Sequence, residues 1–418
     1  MSILENLLSE HCPSGVDYKT FGELGEFYGG LTGKSKDDFT DGNAIFISYM
    51  NVFSNLEVNT DITDMVKVGA TERQKTVQLG DVLFTGSSET PDECGMSSVL
   101  TTQTDEPLYL NSFCFGFRFH DINIIMPEFS KHLFRDEQMR KQIAKTASGV
   151  TRFNVSKKRF AKIPIPIPPL AIQQEIVKIL DSFTRLEAEL EAELEARKKQ
   201  YEYYRDELLT FGEDVVWKEL GEVGDFTRGR RFVKNDIVTE GVPCIHYGEM
   251  YTHYKIWAKE TKSYLEPALA AKLRVAHPGD VVIVAAGETI EDIGNGVAWL
   301  GESDVVIHDA CFAFNHCLNP KYVSYYLQTN IFRSQIKRYI SSGKISSINS
   351  SGLSKAKIPI PPLTEQERIV AILDKFDAIV NDISFGLPAE LNARHKQYEY
   401  YRDKLLTFKP LEKEHANQ

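Results

Sequence analysis

The chain has 418 residues, of which 42% are apolar and 26% charged, and it carries a formal net charge of −11. This length exceeds what one ordinary hydrophobic core supports, so two or three domains are expected. The longest apolar run, 281–286, is too short to cross a bilayer, and no Cys/His cluster has zinc-ligand spacing. These features argue against a membrane-spanning protein and a zinc finger.

The N-terminal segment and the cysteines indicate a compartment. MSILENLLSEH has no cationic start and no sustained apolar stretch, which argues against secretion. The six cysteines form no C-x-x-C pair. We therefore expect reduced, buried thiols in a cytoplasmic protein.

The average charge conceals two cationic tracts. Residues 1–130 hold 20 acidic and 7 basic side chains, whereas 131–162 hold 10 basic and 2 acidic. Residues 213–320 hold 17 acidic and 10 basic side chains, whereas 321–357 hold 7 basic and no acidic ones. Because electrostatic attraction is screened within about 10 Å, such a local tract matters more to a polyanion than the net charge does.

In chain order, the first predicted domain covers 1–163 and is of mixed α/β type. Short β-rich runs, among them NAIFISY and DVLFTG, alternate with a helix-like stretch at 127–145. The segment GGLTGKS (29–35) ends like a phosphate-binding loop, but that loop requires glycine where Tyr28 stands. We predict a flexible loop at this place and no nucleotide site.

A proline-rich joint and a long helix are predicted at 164–212. Alternating Ile-Pro fixes φ and removes N–H donors, so the joint should be extended. Beyond it, apolar residues recur mostly at spacings of three and four, which predicts an amphipathic helix of about 40 residues, on the order of 60 Å long. A helix of this length with a narrow apolar stripe needs a partner helix, and we predict a coiled coil.

The second half of the chain repeats the first. YKTFGELGEFYGG (18–30) aligns with WKELGEVGDFTRG (217–229) at an offset of 199 residues. RKKQYEYYRDELLTF (197–211) differs from RHKQYEYYRDKLLTF (394–408) at only two of fifteen positions. Between these conserved segments the two halves diverge. Such a pattern is expected of one fold that is repeated with two different recognition surfaces.

The repeat fixes the remaining predicted boundaries. The second α/β domain is predicted at 213–357, a second joint and distal helix at 358–411, and a tail at 412–418. The distal helix should be kinked or broken near 386–388, where Gly-Leu-Pro stands.

One further motif is similar to a catalytic motif of known enzymes. NPKY (319–322) is similar to the N-P-P-[FY] of amino-methyltransferases, but its counterpart in the first half is MPEF (126–129), and no glycine-rich cofactor loop accompanies it. Both prolines are therefore predicted at the first position of a helix. The chain is predicted to be without catalytic residues.

Two variable domains that alternate with two near-identical helices resemble the specificity subunit of a type I restriction-modification enzyme. The motifs that carry this resemblance are IPIPPL (165–170 and 358–363), KQYEYYRDELLTF (199–211), KQYEYYRDKLLTF (396–408) and GLPAEL (386–391). The resemblance implies an α/β protein in which two target recognition domains are separated by two long helices that form an antiparallel coiled coil. Each domain would recognise one half of a bipartite, asymmetric site in double-stranded DNA.

The resemblance also implies partners. Two copies of a modification subunit would bind the repeated helical surfaces, and a restriction (motor-nuclease) subunit would join that core in the prokaryotic cytoplasm. S-adenosylmethionine, ATP and Mg would belong to those partners, and this chain would hold no cofactor or metal. Two alternatives stay open: a methyltransferase with an unrecognised motif set, and a coiled-coil scaffold without a DNA role.

Candidate contacts follow from the cationic tracts, the first loop and the repeated helix. The side chains predicted to contact DNA phosphates, each with a merely solvated face as the alternative, are Arg152, Lys157, Lys158, Arg159, Lys344, Lys355, Lys357 and Lys34. The predicted partner contacts are Tyr203, Arg205, Tyr400 and Arg402. Tyr204 and Tyr401 lie on the apolar stripe, where coiled-coil packing is an equal alternative. Residues that recognise bases cannot be assigned from the sequence.

Overall fold

The computed structural model describes residues 3–343, 345–382 and 385–411. These residues form two compact units: the first comprises the described residues of 1–190 and 391–411, and the second those of 191–390. The division falls inside the long helix, so the two ends of that helix belong to different units.

The long helices agree with the sequence prediction. The central helix runs without interruption from Leu170 to Leu208, which is 39 residues. The distal segment is divided into Leu363–Asn381 and Leu387–Leu405, with Gly386 in the break. Glycine is a poor helix former, and proline is tolerated only in the first turn of a helix. The helix therefore ends before Gly386 and a new one begins at Leu387, with Pro388 in its first turn.

The first unit contains short helices and strands around the start of the central helix. Its other helices, including one 3-10 turn, are Ile3–His11, Phe21–Leu24, Lys36–Phe39, Tyr49–Ser54, Pro127–Leu133, Glu137–Ala144 and Lys157–Phe160. Its strands are Asp17–Thr20, Gly25–Gly29, Ala44–Ile47, Met65–Val66, Thr76–Val77, Val82–Thr85, Ser87–Ser88, Ser97–Val99, Leu108–Leu110, Cys114–Phe119, Ala147–Gly149, Phe153–Val155 and Pro164–Ile167.

The second unit repeats this plan. Its other helices and 3-10 turns are Leu220–Val223, Lys234–Asp236, Glu249–Thr252, Pro267–Ala270, Pro320–Tyr326, Asn330–Ile336, Lys337–Tyr339 and Ser350–Ser354. Its strands are Trp217–Glu219, Gly224–Arg228, Ile237–Val238, Val242–Ile245, Trp257–Ala258, Ser263–Leu265, Val275–Ala276, Val281–Val284, Ala286–Gly287, Gly296–Trp299, Val305–Ile307, Cys311–His316, Ser346–Ser347 and Lys357–Pro359.

Each unit has a main antiparallel sheet with the same strand order. In the first unit the order is Gly25–Gly29, Cys114–Phe119, Val82–Thr85, Ser97–Val99. In the second unit it is Gly224–Arg228, Cys311–His316, Val281–Val284, Gly296–Trp299, and Trp257–Ala258 adds a parallel edge. The β-rich runs of the sequence supply the buried central strands, as their apolar character requires.

A second sheet in each unit contains a parallel pair. Ala44–Ile47 runs parallel to Leu108–Leu110 in the first unit, and Val242–Ile245 runs parallel to Val305–Ile307 in the second. These strands lie between the conserved anchors, where the sequences of the two halves diverge. The structure therefore extends the repeat into a divergent part of the chain.

The proline-rich joints are extended, as predicted, and they close the units. Pro164–Ile167 pairs antiparallel with Asp17–Thr20, and Lys357–Pro359 pairs with Trp217–Glu219. Both pairs are two-stranded sheets, in which proline can face the unpaired edge and no ladder hydrogen bond is lost. The strand that opens each variable region thus binds the strand that ends it.

The predictions about prolines and cysteines can be compared with the structure. Helices begin at Pro127 and Pro320, which confirms the prediction for both prolines. Four cysteines are buried, whereas Cys12 is half-buried and Cys317 is exposed, so the expectation of uniformly buried thiols is wrong for these two. In the described part of the chain, no helix is both long and apolar enough to cross a membrane.

Candidate functional site

The two copies of QYEYYRD lie in matching environments, one in each unit. In the second unit, the Asp206 carboxylate accepts hydrogen bonds from the backbone and side-chain amides of Asn330, at 3.2 and 2.7 Å. In the first unit, Asp403 accepts one from the backbone amide of Glu137, at 3.2 Å. Asn330 and Glu137 are the first residues of equivalent helices, where free N–H groups favour a carboxylate.

Within each unit, helical segments pack against one another through aromatic residues. In the first unit, the ring of Phe183 stacks on Tyr401, and Glu187 lies 3.3 Å from His395. The residue numbers run in opposite directions, so these segments are antiparallel. In the second unit, the ring of Tyr204 stacks on Phe376. Tyr204 and Tyr401 therefore both take part in packing within the helical layer, and Tyr204 also stays 37% exposed.

The two motif arginines are mostly buried, which corrects their prediction as partner contacts. The guanidinium of Arg205 lies 3.0 Å from Asp206 and over the Tyr201 ring. Arg402 lies 2.9 Å from Asp403 and over Tyr398. Only 10% and 12% of their side chains are exposed.

Tyr203 and Tyr400, in contrast, are free to contact another molecule. Their exposed fractions are 64% and 61%, although each is a large aromatic residue. Tyr203 lies at the edge of an open groove of about 610 Å³, which Lys199, Glu202 and Asn330 also line. A protruding, rigid aromatic ring at equivalent places in both units is typical of a binding anchor.

A buried polar network supports the motif in the first unit. The Tyr398 hydroxyl is 2.9 Å from Nδ1 of His132, and Nε2 of His132 is 2.7 Å from Asp181. Burial lowers the pKa of His132, although the hydrogen bond to Asp181 acts in the opposite direction. The equivalent position in the second unit holds Tyr325, whose hydroxyl donates to Asp374 at 2.8 Å.

The first cationic tract contributes side chains of two kinds. Lys158 is exposed and forms no hydrogen bond or ion pair with any described residue, whereas Lys157 lies over the Phe115 ring, where burial lowers its pKa. Arg152 is exposed, lies over Phe113, and donates a hydrogen bond to Ser87.

The remaining predicted cations are held to different degrees. Arg159 donates to the Thr146 carbonyl at 2.8 Å, and the Lys34 ammonium contacts Glu72 and the Lys67 carbonyl, each at 2.5 Å. Lys34 is therefore engaged within its own unit, with only 5% of its side chain exposed.

The second tract is only partly described. Lys344 lies outside the described residues. Lys355 is exposed with its ammonium 5.5 Å from the centre of the Tyr339 ring, and Lys357 exposes its side chain while its backbone pairs with Glu219. Lys355 and Lys357 thus extend from the strand and turn that close the second unit.

Other cations of the tracts are structural, which the sequence did not reveal. Arg135 donates to the carbonyls of Ser97, Val52, Phe53 and Asn55, and burial lowers its pKa to about 10. Arg140, Lys131, Lys321 and Arg333 are similarly engaged with carbonyls or carboxylates. The positive charge available at the surface is therefore smaller than a count of basic residues indicates.

Among the described residues, no group of three or more His, Cys, Asp or Glu side chains could hold a metal ion. The residues assembled here are phosphate-seeking cations, protruding tyrosines and structural ion pairs. This arrangement is suited to binding.

Comparison with known proteins identifies the family. The family model described as "Type I restriction modification DNA specificity domain" matches twice, at 13–196 and 212–393. The chain is 38% identical over 271 residues to the specificity subunit of the type I restriction enzyme EcoR124I/EcoR124II from Escherichia coli, which covers 59% of this chain and 63% of that protein. It is 36% identical over 274 residues to a putative type I specificity subunit from Haemophilus influenzae, covering 62% of this chain and 68% of that one.

A solved structure shows that the fold is shared as well. A chain from a structure of a type I restriction-modification system superposes with a TM-score of 0.65 and 18% identity, and the match covers 94% of this chain and 98% of that one. The matches give no support to the methyltransferase or scaffold alternatives. With the family model matching both halves, the chain belongs to the type I restriction-modification DNA specificity family.

Proposed function

We propose that this chain is the non-catalytic, sequence-specific DNA recognition subunit of a type I restriction-modification complex. Each unit recognises one half of a bipartite site in double-stranded DNA. The observation that carries the proposal is that the repeated segment QYEYYRD has the same environment in each unit, where Asp206 and Asp403 accept hydrogen bonds from the first residues of equivalent helices. A protein that presents one partner surface twice binds two copies of one partner.

The partner of those surfaces is a modification subunit. Tyr203 and Tyr400 are the anchors that bind one copy each, because they are exposed and lie on helices that Asp206 and Asp403 bond to their units. A restriction subunit completes the complex. S-adenosylmethionine, ATP and Mg are bound by those partners, which supply methylation of adenine and cleavage of DNA.

The stoichiometry tests the proposal directly. Co-expression with the modification subunit should yield a complex of one specificity chain and two modification subunits by native mass measurement. Tyr203→Ala and Tyr400→Ala should each reduce it to one-to-one, and the double variant should bind neither copy. Arg185→Ala is a control for the loss of an exposed side chain, because Arg185 is 73% exposed and pairs with Glu189 of its own helix, outside both copies of QYEYYRD.

Two results would contradict the proposal. One is a wild-type complex that stops at one modification subunit under saturating conditions. The other is methyl transfer to DNA by the purified chain alone with labelled S-adenosylmethionine, because that would make the chain itself the methyltransferase.

A further inference from the structure

Each unit contains a cleft that no motif in the sequence predicts. The cleft of the second unit has a volume of about 920 Å³, and its lining includes Arg228, Arg231, Lys234, His246, Tyr247 and Glu288. The cleft of the first unit has a volume of about 370 Å³, and its lining includes Tyr49, Phe53, Ser87, Glu89, Glu93 and Arg152.

The two clefts occupy equivalent places in the repeat. Ala44–Ile47 and Val242–Ile245, the equivalent strands of the parallel pairs, lead directly to Tyr49 and Tyr247. A second wall is formed by Ser87–Ser88 in the first unit and by Ala286–Gly287 in the second.

The third wall of each cleft is also equivalent. Arg152 and Ile345 each precede the strand that pairs with that second wall, with Phe153 opposite Ser88 and Ser346 opposite Gly287. The fold therefore builds the same cleft twice, although the residues that line it have diverged.

A tyrosine hydroxyl is free in one cleft and bound in the other. Tyr49 donates a hydrogen bond to the Ser87 carbonyl at 2.9 Å. In the second unit, Tyr251 donates to the equivalent carbonyl, that of Ala286, at 3.2 Å. Within the described part of the chain, the hydroxyl of Tyr247 therefore has no hydrogen bond, while its ring stays fixed against His246 and His308.

The histidine of the second cleft presents a donor. Nδ1 of His246 accepts a hydrogen bond from the backbone amide of Gly248 at 3.3 Å, and burial lowers the pKa of this ring. A neutral ring whose Nδ1 accepts must carry its proton on Nε2. His246 thus adds an N–H donor at a position where the first unit has Ser48.

The charged groups make the second cleft rich in donors. Arg231 and Lys234 are exposed, and neither forms a hydrogen bond or ion pair with another described side chain. Arg228 lies at the rim over the Phe312 ring, with Nε bonded to the Asp309 carbonyl. Three cationic side chains therefore stand against the two carboxylates of Glu288 and Asp309 in this cleft.

The first cleft has the opposite balance. Its carboxylates are Glu89, which is exposed, and Glu93, which accepts a hydrogen bond from Ser88 at 2.9 Å. Arg152 is its one cation, held to Ser87 and over Phe113. This lining can accept hydrogen bonds, whereas the lining of the second cleft mainly donates them.

We infer that the two clefts are the sites at which each unit recognises base edges of its half-site, and that the second cleft selects guanine. This inference rests on the proposed function. Guanine is the base that presents two acceptors, N7 and O6, and no donor in the major groove, so it fits a lining of Arg231, Lys234 and Tyr247. The Glu89 carboxylate of the first cleft instead accepts from an exocyclic amino group, that of cytosine or adenine.

Base preference of the assembled complex tests the inference. The full chain with its modification subunits is used to select bound duplexes from a library with randomised half-sites, and the bound DNA is sequenced. Arg231→Ala with Lys234→Ala, and separately Tyr247→Phe, should reduce the preference for guanine at one position of one half-site. The expected reduction is about 5- to 150-fold, which is the discrimination that one good side chain–base pair supplies.

The matched changes locate the effect. Glu89→Gln should alter preference only in the other half-site, because it lies in the first unit. Arg230→Ala is the control, since this neighbouring arginine is exposed and donates to the Lys272 carbonyl outside the cleft. All changed side chains are at least partly exposed, and assembly with the modification subunits verifies folding.

Three outcomes would overturn the inference. An unchanged base preference would exclude the clefts, and a uniform loss of binding to all sequences would make these cations phosphate contacts. Loss of preference at a base other than guanine would exclude the assignment of the second cleft. A wild-type complex that binds DNA without any sequence preference would contradict the proposed function itself, and is thereby distinguished from these.

Discussion

The tandem repeat EAELEAEL at 187–194 allows the separation of the half-sites to be changed without touching either unit's recognition surface. The central helix is continuous from Leu170 to Leu208, and the division between the units falls between its residues 190 and 191. Deletion of 191–194 removes one unit of the repeat. At 1.5 Å and 100° per residue, the two ends of the helix come about 6 Å closer and rotate by about 40°.

The deletion should leave the local packing of both units almost intact. Glu191, Ala192 and Glu193 are exposed, and Leu194 is partly buried in the second unit. After the deletion, Leu190 takes the helical position of Leu194. Glu189 then replaces Glu193 as the partner of the guanidinium of Arg197, four residues on, so the sequence that each unit contacts is nearly preserved.

Methylation mapping measures the consequence. On duplex DNA, with about 3.4 Å per base pair, a change of up to about 6 Å corresponds to one or two base pairs. The half-site sequences should stay the same and the gap between them should shrink by that amount. An unchanged gap with full activity would show that this helix does not set the spacing.

Two further predictions concern charge. Lys158→Glu should weaken binding to all DNA sequences, and it should lower the slope of log affinity against log salt concentration by about 0.9. The reason is that Lys158 is exposed and has no described partner, so its ammonium group is available to a phosphate. An unchanged slope in a salt titration would show that Lys158 is only a solvated side chain. Burial raises the pKa of Asp136 from 3.8 to about 6, so the folded chain takes up a proton between these values and loses stability as the pH rises from 4 to 6. Asp136→Thr, which copies the N-cap Thr329 of the second unit, should remove up to about 3 kcal/mol of this dependence in thermal unfolding across that range, and an identical pH profile would contradict the assignment.

The helices could be predicted because their signals are local. The spacing of apolar residues after Pro169 specifies a helix of the observed length, and Gly386 with Pro388 specifies the break. Both signals act within a few residues of the backbone they govern, so no tertiary information is needed.

The roles of the basic residues could not be predicted, because charge does not report burial. Arg135 and Lys158 count equally in the first tract, yet one is bonded to four carbonyls and the other is exposed. Arg205 and Arg402 belong to the repeated segment QYEYYRD, and the sequence predicted them as partner contacts. A signal was nevertheless present, since each is followed by an aspartate in both copies and can pair with it.

The clefts escaped the sequence analysis for a different reason. Tyr49, Ser87 and Arg152 are separated by dozens of residues and meet only because three strands converge. Their spacing therefore carries no motif. What the sequence did indicate was the pattern of divergence, since the variable stretches between conserved anchors supply the cleft walls.

A buried glutamine in each unit explains how the same fold can carry two clefts with different lining residues. Gln173 accepts a hydrogen bond from the amide of Met126 at 2.8 Å and donates to the Pro168 carbonyl at 2.8 Å. Gln366 makes the same contacts in the second unit, with Asn319 at 2.9 Å and Pro361 at 2.9 Å. Each glutamine is almost fully buried, so its amide fixes the start of the long helix to both the joint and the helix that precedes the cationic tract.

This anchoring separates recognition from docking. The residues that line the clefts lie between the opening strand and the joint of each unit. The glutamine contacts lie at the ends of that segment. So do the two strand pairs, which are Asp17–Thr20 with Pro164–Ile167 and Trp217–Glu219 with Lys357–Pro359. Substitutions in a cleft therefore leave the hydrogen bonds that hold the helix unchanged. New base preferences can accordingly arise in one unit while the exposed tyrosines of both docking surfaces keep their place.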